Sequence, residues 1–402
     1  MKNKKYLFYL HSLDLTGGVK VTLDVIKELS ERGYNVDILV DKNVIKYDIP
    51  DQVKVYKISL FNIKNVIHIE NTVGEDTNNI KKSLFKPIKL KILEINIFKK
   101  LLIYIRYIFF LICYPVYFFT IRSFLQKHSY DNIVFTNMYK NLEYLFAFHH
   151  QKKIIVLHNS PNNVYKERIT PHLLPIKYYF KNMLCIGVSS NIIKEMQCFV
   201  DSSTELRTIY NPFDMQLIQQ LANEEIEQEF NNKQYFVIVG GLNDRKRVDR
   251  AINAFNKLNR KDIYLLVIGK GVELDNLRNL VDNLNLIDNI IFLGAKKNPY
   301  KYISKAKGLL LTSDSEGLPT VLIESLICYT PVISTNCPTG PSEILIDELE
   351  KFLVKINNRQ EEEIIIDIKN KMSFLLEQDV TINYDNLNRF KKENIITKWQ
   401  EI

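Results

Sequence analysis

Short apolar runs alternate with longer, one-sided apolar stretches along this 402-residue chain, and the pattern passes through twice. Strand-like runs at 6–11, 36–40, 132–136, 153–158 and 184–188 are separated by helix-like stretches at 19–32, 139–148 and 189–200. After Ile209-Tyr210-Asn211-Pro212, which reads as a hinge, runs at 235–239, 263–268, 289–293, 308–312 and 331–335 alternate with helical patterns at 247–258, 273–284, 299–306 and from Pro319 onward. Such alternation builds parallel sheets covered by helices on both faces. The expected fold is therefore α/β, with two Rossmann-like doubly wound domains facing across a cleft. The first spans residues 1–210, together with a closing helix at 386–402 that crosses back to it; the second spans 211–385.

A chain of this length with 46% hydrophobic residues can bury a large core, and its size favours two domains over one. Its five cysteines, Cys113, Cys185, Cys198, Cys328 and Cys337, are scattered, with no CxxC pair and no histidine at metal-site spacing. The expectation is a reducing compartment and no structural zinc. The opening MKNKKYLFYLHSLDL has too short an apolar run for a secretory leader and reads as a first strand.

The net charge of +8 is concentrated. Residues 81–130 hold ten Lys or Arg and one acid, Glu94, so this stretch carries +9 and the rest of the chain is near neutral. Inside it, residues 101–121 read LLIYIRYIFFLICYPVYFFTI, long enough for a membrane span but containing Arg106, Pro115 and four tyrosines. Aromatic residues with flanking cations suit the headgroup boundary. Three readings stand: attachment to a membrane surface through 81–130, a buried helix pair, and a true span. Nucleic-acid binding, the other common use of a basic region, fits poorly with a stretch this apolar.

The densest chemistry lies at 316–324, EGLPTVLIE, where two carboxylates flank a Gly-Leu-Pro helix start directly after a strand. The free amides of such a first turn attract anions such as a diphosphate. Glu324 stands among Val321, Leu322, Ile323, Leu326 and Ile327, so its carboxylate needs hydrogen-bond donors. If the segment is helical, Glu316 and Glu324 lie about 12 Å apart along it, enough for one to meet a sugar and the other a ribose. The alternative is a loop charge and a solvated helix residue.

Other candidates sit at strand ends, where open α/β sheets bind ligands. Gly240-Gly241-Leu242 is followed by Asn243-Asp244-Arg245-Lys246-Arg247, three cations placed to stabilise charge on a departing pyrophosphate; the alternative is a solvated helix start. Gly17-Gly18 at the first strand-to-helix turn lets backbone amides approach a phosphate or sugar, or simply makes the turn. Gly269-Lys270-Gly271 reads equally as a nucleotide loop or a plain turn. His158 closes a strand of the first half, where it would point into the cleft or serve structurally. Thr339-Gly340-Pro341-Ser342-Glu343-Ile344 offers a second Gly-rich helix start on the same edge.

Taken in order, the Gly17-Gly18 turn, IYNP, GGLNDRKR, IGKG, SDSEGLPTVLIESL and PVISTNCPTGPSEIL resemble the family-4 glycosyltransferases of the GT-B fold, closely over the second half and in outline over the first. The resemblance implies a retaining enzyme using a nucleotide sugar, with no cofactor and no metal bound by a DxD motif. It implies that Glu316 contacts the donor sugar, Gly317 and Leu318 supply amides, Glu324 holds the ribose and Lys246 binds the diphosphate. It also implies that Gly17-Gly18 form the loop over the donor and that His158 is the cleft histidine. Gly241 stands where the family usually has arginine, a role open to Arg245 or Arg247. Together these motifs predict a cytoplasmic enzyme, peripheral at the inner face of the cell membrane. It would move a hexosyl or N-acetylhexosaminyl group from a UDP-sugar to a lipid-linked or oligosaccharide surface-glycan acceptor. A nucleotide-sugar epimerase of the same fold and a non-catalytic nucleotide-sugar-binding subunit are the alternatives.

Overall fold

The computed structural model describes residues 4–13, 17–42, 48–66, 92–136, 142–148, 152–166 and 172–402, without the side chains of 92–100. The chain divides into two compact units. The first comprises 1–157, 161–186 and 196–207; the second comprises 158–160, 187–195 and 208–402.

In the first unit, β1 (Lys5–Leu10), β2 (Asn35–Val40), β3 (Lys54–Ile58), β4 (Ile63–Asn65), β5 (Asn132–Thr136), β6 (Lys152–Leu157), β7 (Leu184–Gly187) and β8 (Glu205–Thr208) form a sheet in the order β4-β3-β2-β1-β5-β6-β7-β8. The β1–β2, β1–β5, β2–β3 and β5–β6 ladders are parallel, whereas β3–β4 is antiparallel. The central strand β5 is buried along its whole length and β1 from its second residue, the pattern of a parallel sheet covered on both faces. The helix Gly17–Glu31 packs Val19, Leu23, Val25, Ile26 and Leu29 inward. It ends where Gly33 adopts φ +87° and Tyr34 N–H donates to Leu29 O at 3.1 Å, a close that favours glycine at the left-handed position.

The second unit contains β9 (Gln234–Val239), β10 (Ile263–Ile268), β11 (Ile290–Gly294), β12 (Gly308–Leu311), β13 (Val332–Thr335) and β14 (Leu353–Val354) in the order β11-β10-β9-β12-β13-β14, with parallel ladders throughout. The order reverses between β9 and β12. Both strands point their carboxyl ends at the 240–247 and 312–319 loops, the switch-point position where ligands bind in such sheets. The α/β class and the two parallel sheets match the sequence expectation.

Several local expectations change. The apolar stretch at 101–121 is part of one continuous helix, Ile92–Lys127, rather than a buried pair. Much of that helix is exposed. The helical pattern at 139–148 contracts to Tyr144–Ala147, with 137–141 outside the described residues. The closing pattern at 386–402 resolves into a 3-10 turn, Tyr384–Phe390, followed by a helix, Lys392–Gln400, and both group with the second unit.

Candidate active site

The second sheet delivers its chemistry through two loops. The loop after β9 makes a 3-10 turn, Asp244–Lys246, and the loop after β12 leads to the helix Thr320–Ile327. Asp314 N–H donates to Arg245 O at 2.9 Å, so the loops are joined by backbone. Pro319 is the N-cap of the helix rather than its first residue, in an extended conformation, and no side chain caps the start.

Glu316 is the centre of the cluster and only 8% exposed. Its Oε1 accepts from Lys246 Nζ at 2.6 Å and from Ser313 Oγ at 2.7 Å, while Arg245 Nη1 stands 3.0 Å from Oε2. Burial alone would raise its pKa, but Lys246, Arg245 and the Ser313 hydroxyl together hold it below the ordinary carboxylate range. One buried carboxylate thus fixes two cations side by side. Lys246 is largely covered, whereas Arg245 keeps close to half of its side chain in solvent.

Arg247 is differently committed. It pairs with Asp249 at 2.9 Å, Glu361 at 2.6 Å and Asp314 at 3.6 Å, and Arg250 behind it pairs with Asp314 and Glu361. Of the two arginines open to the role left by Gly241, Arg245 is the one that converges with Lys246.

The glycines divide by function. A Cβ on Gly317 would stand 1.9 Å from His158 O, and one on Gly340 would stand 2.4 Å from Gly317 O, so the 158–160, 316–318 and 339–341 segments meet backbone to backbone. Glu316 N–H donates to Pro338 O at 2.7 Å and Thr339 N–H returns to Glu316 O at 2.6 Å. Gly269 and Gly271 are also packing glycines, since added Cβ atoms would strike Gly240 O and Leu242 O; this accounts for the Gly-Lys-Gly sequence without a ligand. Gly241 is open, with only Asn243 Nδ2 at 3.6 Å and Lys270 O at 4.0 Å near such a Cβ.

Glu324 is buried in the Thr320–Ile327 helix, and Tyr300 O–H donates to its Oε1 at 3.4 Å, one of the donors its position requires. His158 is half-buried, but its Nε2 is fully enclosed without a hydrogen-bond partner among the described residues. Burial pushes its pKa down to about 4, so the imidazole is neutral at physiological pH. Gly17 and Gly18 open the helix Gly17–Glu31 in the first unit, and a Cβ on Gly17 would meet nothing within 4 Å.

The expected second anion-accepting helix start is weaker than the sequence suggests. Pro341–Ile344 is a single turn, too short for a strong dipole. Its Glu343 instead accepts from Ser190 N–H at 2.8 Å, Asn191 N–H at 2.7 Å and Tyr210 O–H at 3.2 Å, closing the start of the helix Ser190–Met196. Sequence reasoning missed Glu343 in this role, Ser313 beside Glu316, and Thr339, whose hydroxyl donates to Glu316 O or Gly317 O at 3.0 Å. A buried serine three residues before the carboxylate was the available signal for Ser313.

Residues 219–390 match the family described as glycosyl transferases group 1. The chain is 33% identical over 208 residues to an uncharacterised glycosyltransferase of Methanocaldococcus jannaschii, covering 49% of this chain and 51% of that protein. It is 30% identical over 196 residues to the Campylobacter jejuni N-acetylgalactosamine-N,N'-diacetylbacillosaminyl-diphospho-undecaprenol 4-alpha-N-acetylgalactosaminyltransferase, covering 49% and 53%. The chain thus spans about half the length of the curated relatives it matches. The crystal structure of Anabaena HepE in complex with UDP and glucose superposes with a TM-score of 0.67 at 17% identity, over 99% of this chain and 98% of that one. The matched region holds the Glu316-centred cluster, so residues 219–390 form a segment similar to the group 1 glycosyl transferases, in a chain with the GT-B fold.

Proposed function

We propose that this chain is a retaining glycosyltransferase that moves a hexosyl or N-acetylhexosaminyl group from a UDP-sugar to a lipid-linked or oligosaccharide surface-glycan acceptor. The observation that carries the reading is the convergence of Lys246 and Arg245 on buried Glu316 at the carboxyl end of the second sheet. A diphosphate seated there meets two fixed cations and the uncapped start of the Thr320–Ile327 helix. As the bond from the anomeric carbon to the diphosphate breaks, the electron pair goes to the phosphate oxygen, where Lys246 and Arg245 stabilise it more than they stabilise the ground state. The acceptor hydroxyl attacks the same face of the oxocarbenium-like carbon and passes its proton to the departing diphosphate oxygen. Glu316 anchors the cations and faces the donor sugar, Gly317 and Leu318 offer backbone amides, Glu324 holds the ribose, and neutral His158 exchanges a hydrogen bond with a sugar hydroxyl. The scheme uses no metal and no cofactor, because the two side-chain cations supply the positive charge.

UDP and glucose in the Anabaena structure and the diphospho-undecaprenol acceptor in the Campylobacter relative's name support the donor and acceptor classes. The same reading places the protein in the cytoplasm, peripheral at the inner face of the membrane and held through residues 81–130. Incubation with labelled UDP-sugars and membrane extract tests it: the account expects label in the lipid-extractable fraction. No transfer or donor hydrolysis across the common UDP- and GDP-sugars contradicts it. Release of a rearranged sugar nucleotide without acceptor identifies an epimerase instead.

A further inference from the structure

Between residues 101 and 121 the helix Ile92–Lys127 is apolar around most of its circumference, and its two sides have different surroundings. From Leu101 to Lys127 it is long and apolar enough to cross a membrane, with a mean hydropathy of 1.8 over an 18-residue window. One side is fixed to the first unit. Phe110, Ile121 and Phe124 are buried, Tyr107 O–H donates to buried Glu143, Tyr114 O–H donates to Glu143 O at 2.7 Å, and Thr120 donates to Leu60 O at 3.0 Å. The other side presents Leu101, Ile105, Ile108, Ile112 and Phe119, all exposed; Ile112 and Phe119 each reach 70%. Their spacing of four, three, four and seven keeps them on one stripe, about 27 Å long at the helical rise. Phe61, 79% exposed, follows Leu60, which accepts the Thr120 hydrogen bond, so it extends the apolar surface beside the helix.

We infer that this stripe is a lipid-docking face that lies in the plane of an anionic bilayer, its aliphatic and aromatic side chains in the acyl boundary, and that the helix does not cross. The inference rests on the membrane reading above and adds its geometry. Crossing would require the segment from Tyr107 to Phe124 to leave its packing and hydrogen bonds, and the exposed turns before it are too short to span about 30 Å of hydrocarbon alone. A helix apolar all round needs two apolar neighbours, and among the described residues the first unit supplies only one. Charge selects the other. Residues 81–130 carry +9, and Arg106 and Arg122 flank the stripe. A second copy would bring two such segments together, whereas anionic headgroups complement them.

Two measurements on the full chain test this. First, wild type and the Ile108→Gln/Ile112→Gln/Phe119→Gln variant are sedimented with phosphatidylcholine vesicles and with phosphatidylcholine–phosphatidylglycerol vesicles, with circular dichroism and UDP binding as folding controls. Wild type should pellet with the anionic vesicles, and the variant should lose at least about tenfold in partitioning while still binding UDP. Second, tryptophan is placed singly at Ile105, Ile112 and Phe119 and quenched with brominated lipids. The native Trp399 is buried and serves as the background. An in-plane helix gives all three probes the same depth, whereas an inserted helix separates successive probes by about 10 Å. Equal pelleting of wild type and variant overturns the docking face but leaves membrane attachment standing. Absence of wild type from both vesicle pellets overturns attachment as well and leaves the transfer reaction to its own assay. Graded depths, or a wild-type dimer in solution that the variant dissociates, also overturn the inference.

Discussion

At the scale of single residues, Glu316 is held by contacts that also define its pH behaviour. Its pKa is depressed in the folded protein, so its contribution to stability is complete at neutral pH and is lost as pH falls through that lowered value, below the ordinary carboxylate range. Glu316→Gln should therefore cost about 1–3 kcal/mol at pH 7, a range set by the partly exposed Arg245, and the difference from wild type should shrink toward zero in acid. Denaturant titrations across pH check this; a difference that grows in acid contradicts it. The glycines supply an independent pair. Gly317→Ala forces its Cβ into His158 O and should destabilise by more than about 2 kcal/mol, whereas Gly241→Ala, into open space, should stay within about 1 kcal/mol of wild type. Chemical denaturation separates the two, and equal losses would mean that the 158–160 and 316–318 backbones do not pack as described.

Elements are where legibility was uneven. The central strands were readable because burial on both faces leaves continuous apolar runs, as in Asn132–Thr136 and Ile263–Ile268. The edge strands Ile63–Asn65 and Leu353–Val354, and Lys54–Ile58 next to the first of them, escaped notice because they are short and, in the first sheet, carry lysines toward the surface. The helix Glu361–Glu377 was hidden by Ile364-Ile365-Ile366, a β-branched run that favours strand in isolation. Tertiary charge overrides it: Arg250, buried between Asp314 and Glu361, and Arg247 fasten the first turn, and Glu363 accepts from Gln360 N–H at 3.2 Å. Arg250→Ala leaves two partly exposed carboxylates facing each other and should cost about 1–3 kcal/mol. Hydrogen exchange should show the loss as faster opening of 361–377; unchanged protection there would contradict the coupling.

On the scale of the whole molecule, the motifs singled out Lys246 and Glu316, and the fold brings the two within 2.6 Å because both sit in loops fixed to strand ends. They did not distinguish Arg245 from Arg247, since adjacent cations in sequence acquire different partners only when Asp249, Asp314 and Glu361 are brought together by the fold. Nor could spacing reveal that Gly317 and Gly340 serve backbone packing. The central claim is that the second unit grips a uridine diphosphate through Lys246 and Arg245. Calorimetric titration of wild type, Lys246→Ala, Arg245→Ala and Arg247→Ala with UDP tests it most directly. The account predicts saturable one-to-one binding to wild type, a loss of at least about tenfold in the Lys246 and Arg245 variants, equivalent to about 1.4 kcal/mol, and a smaller loss in the Arg247 variant. No binding to wild type, or affinity unchanged by removing Lys246, contradicts it.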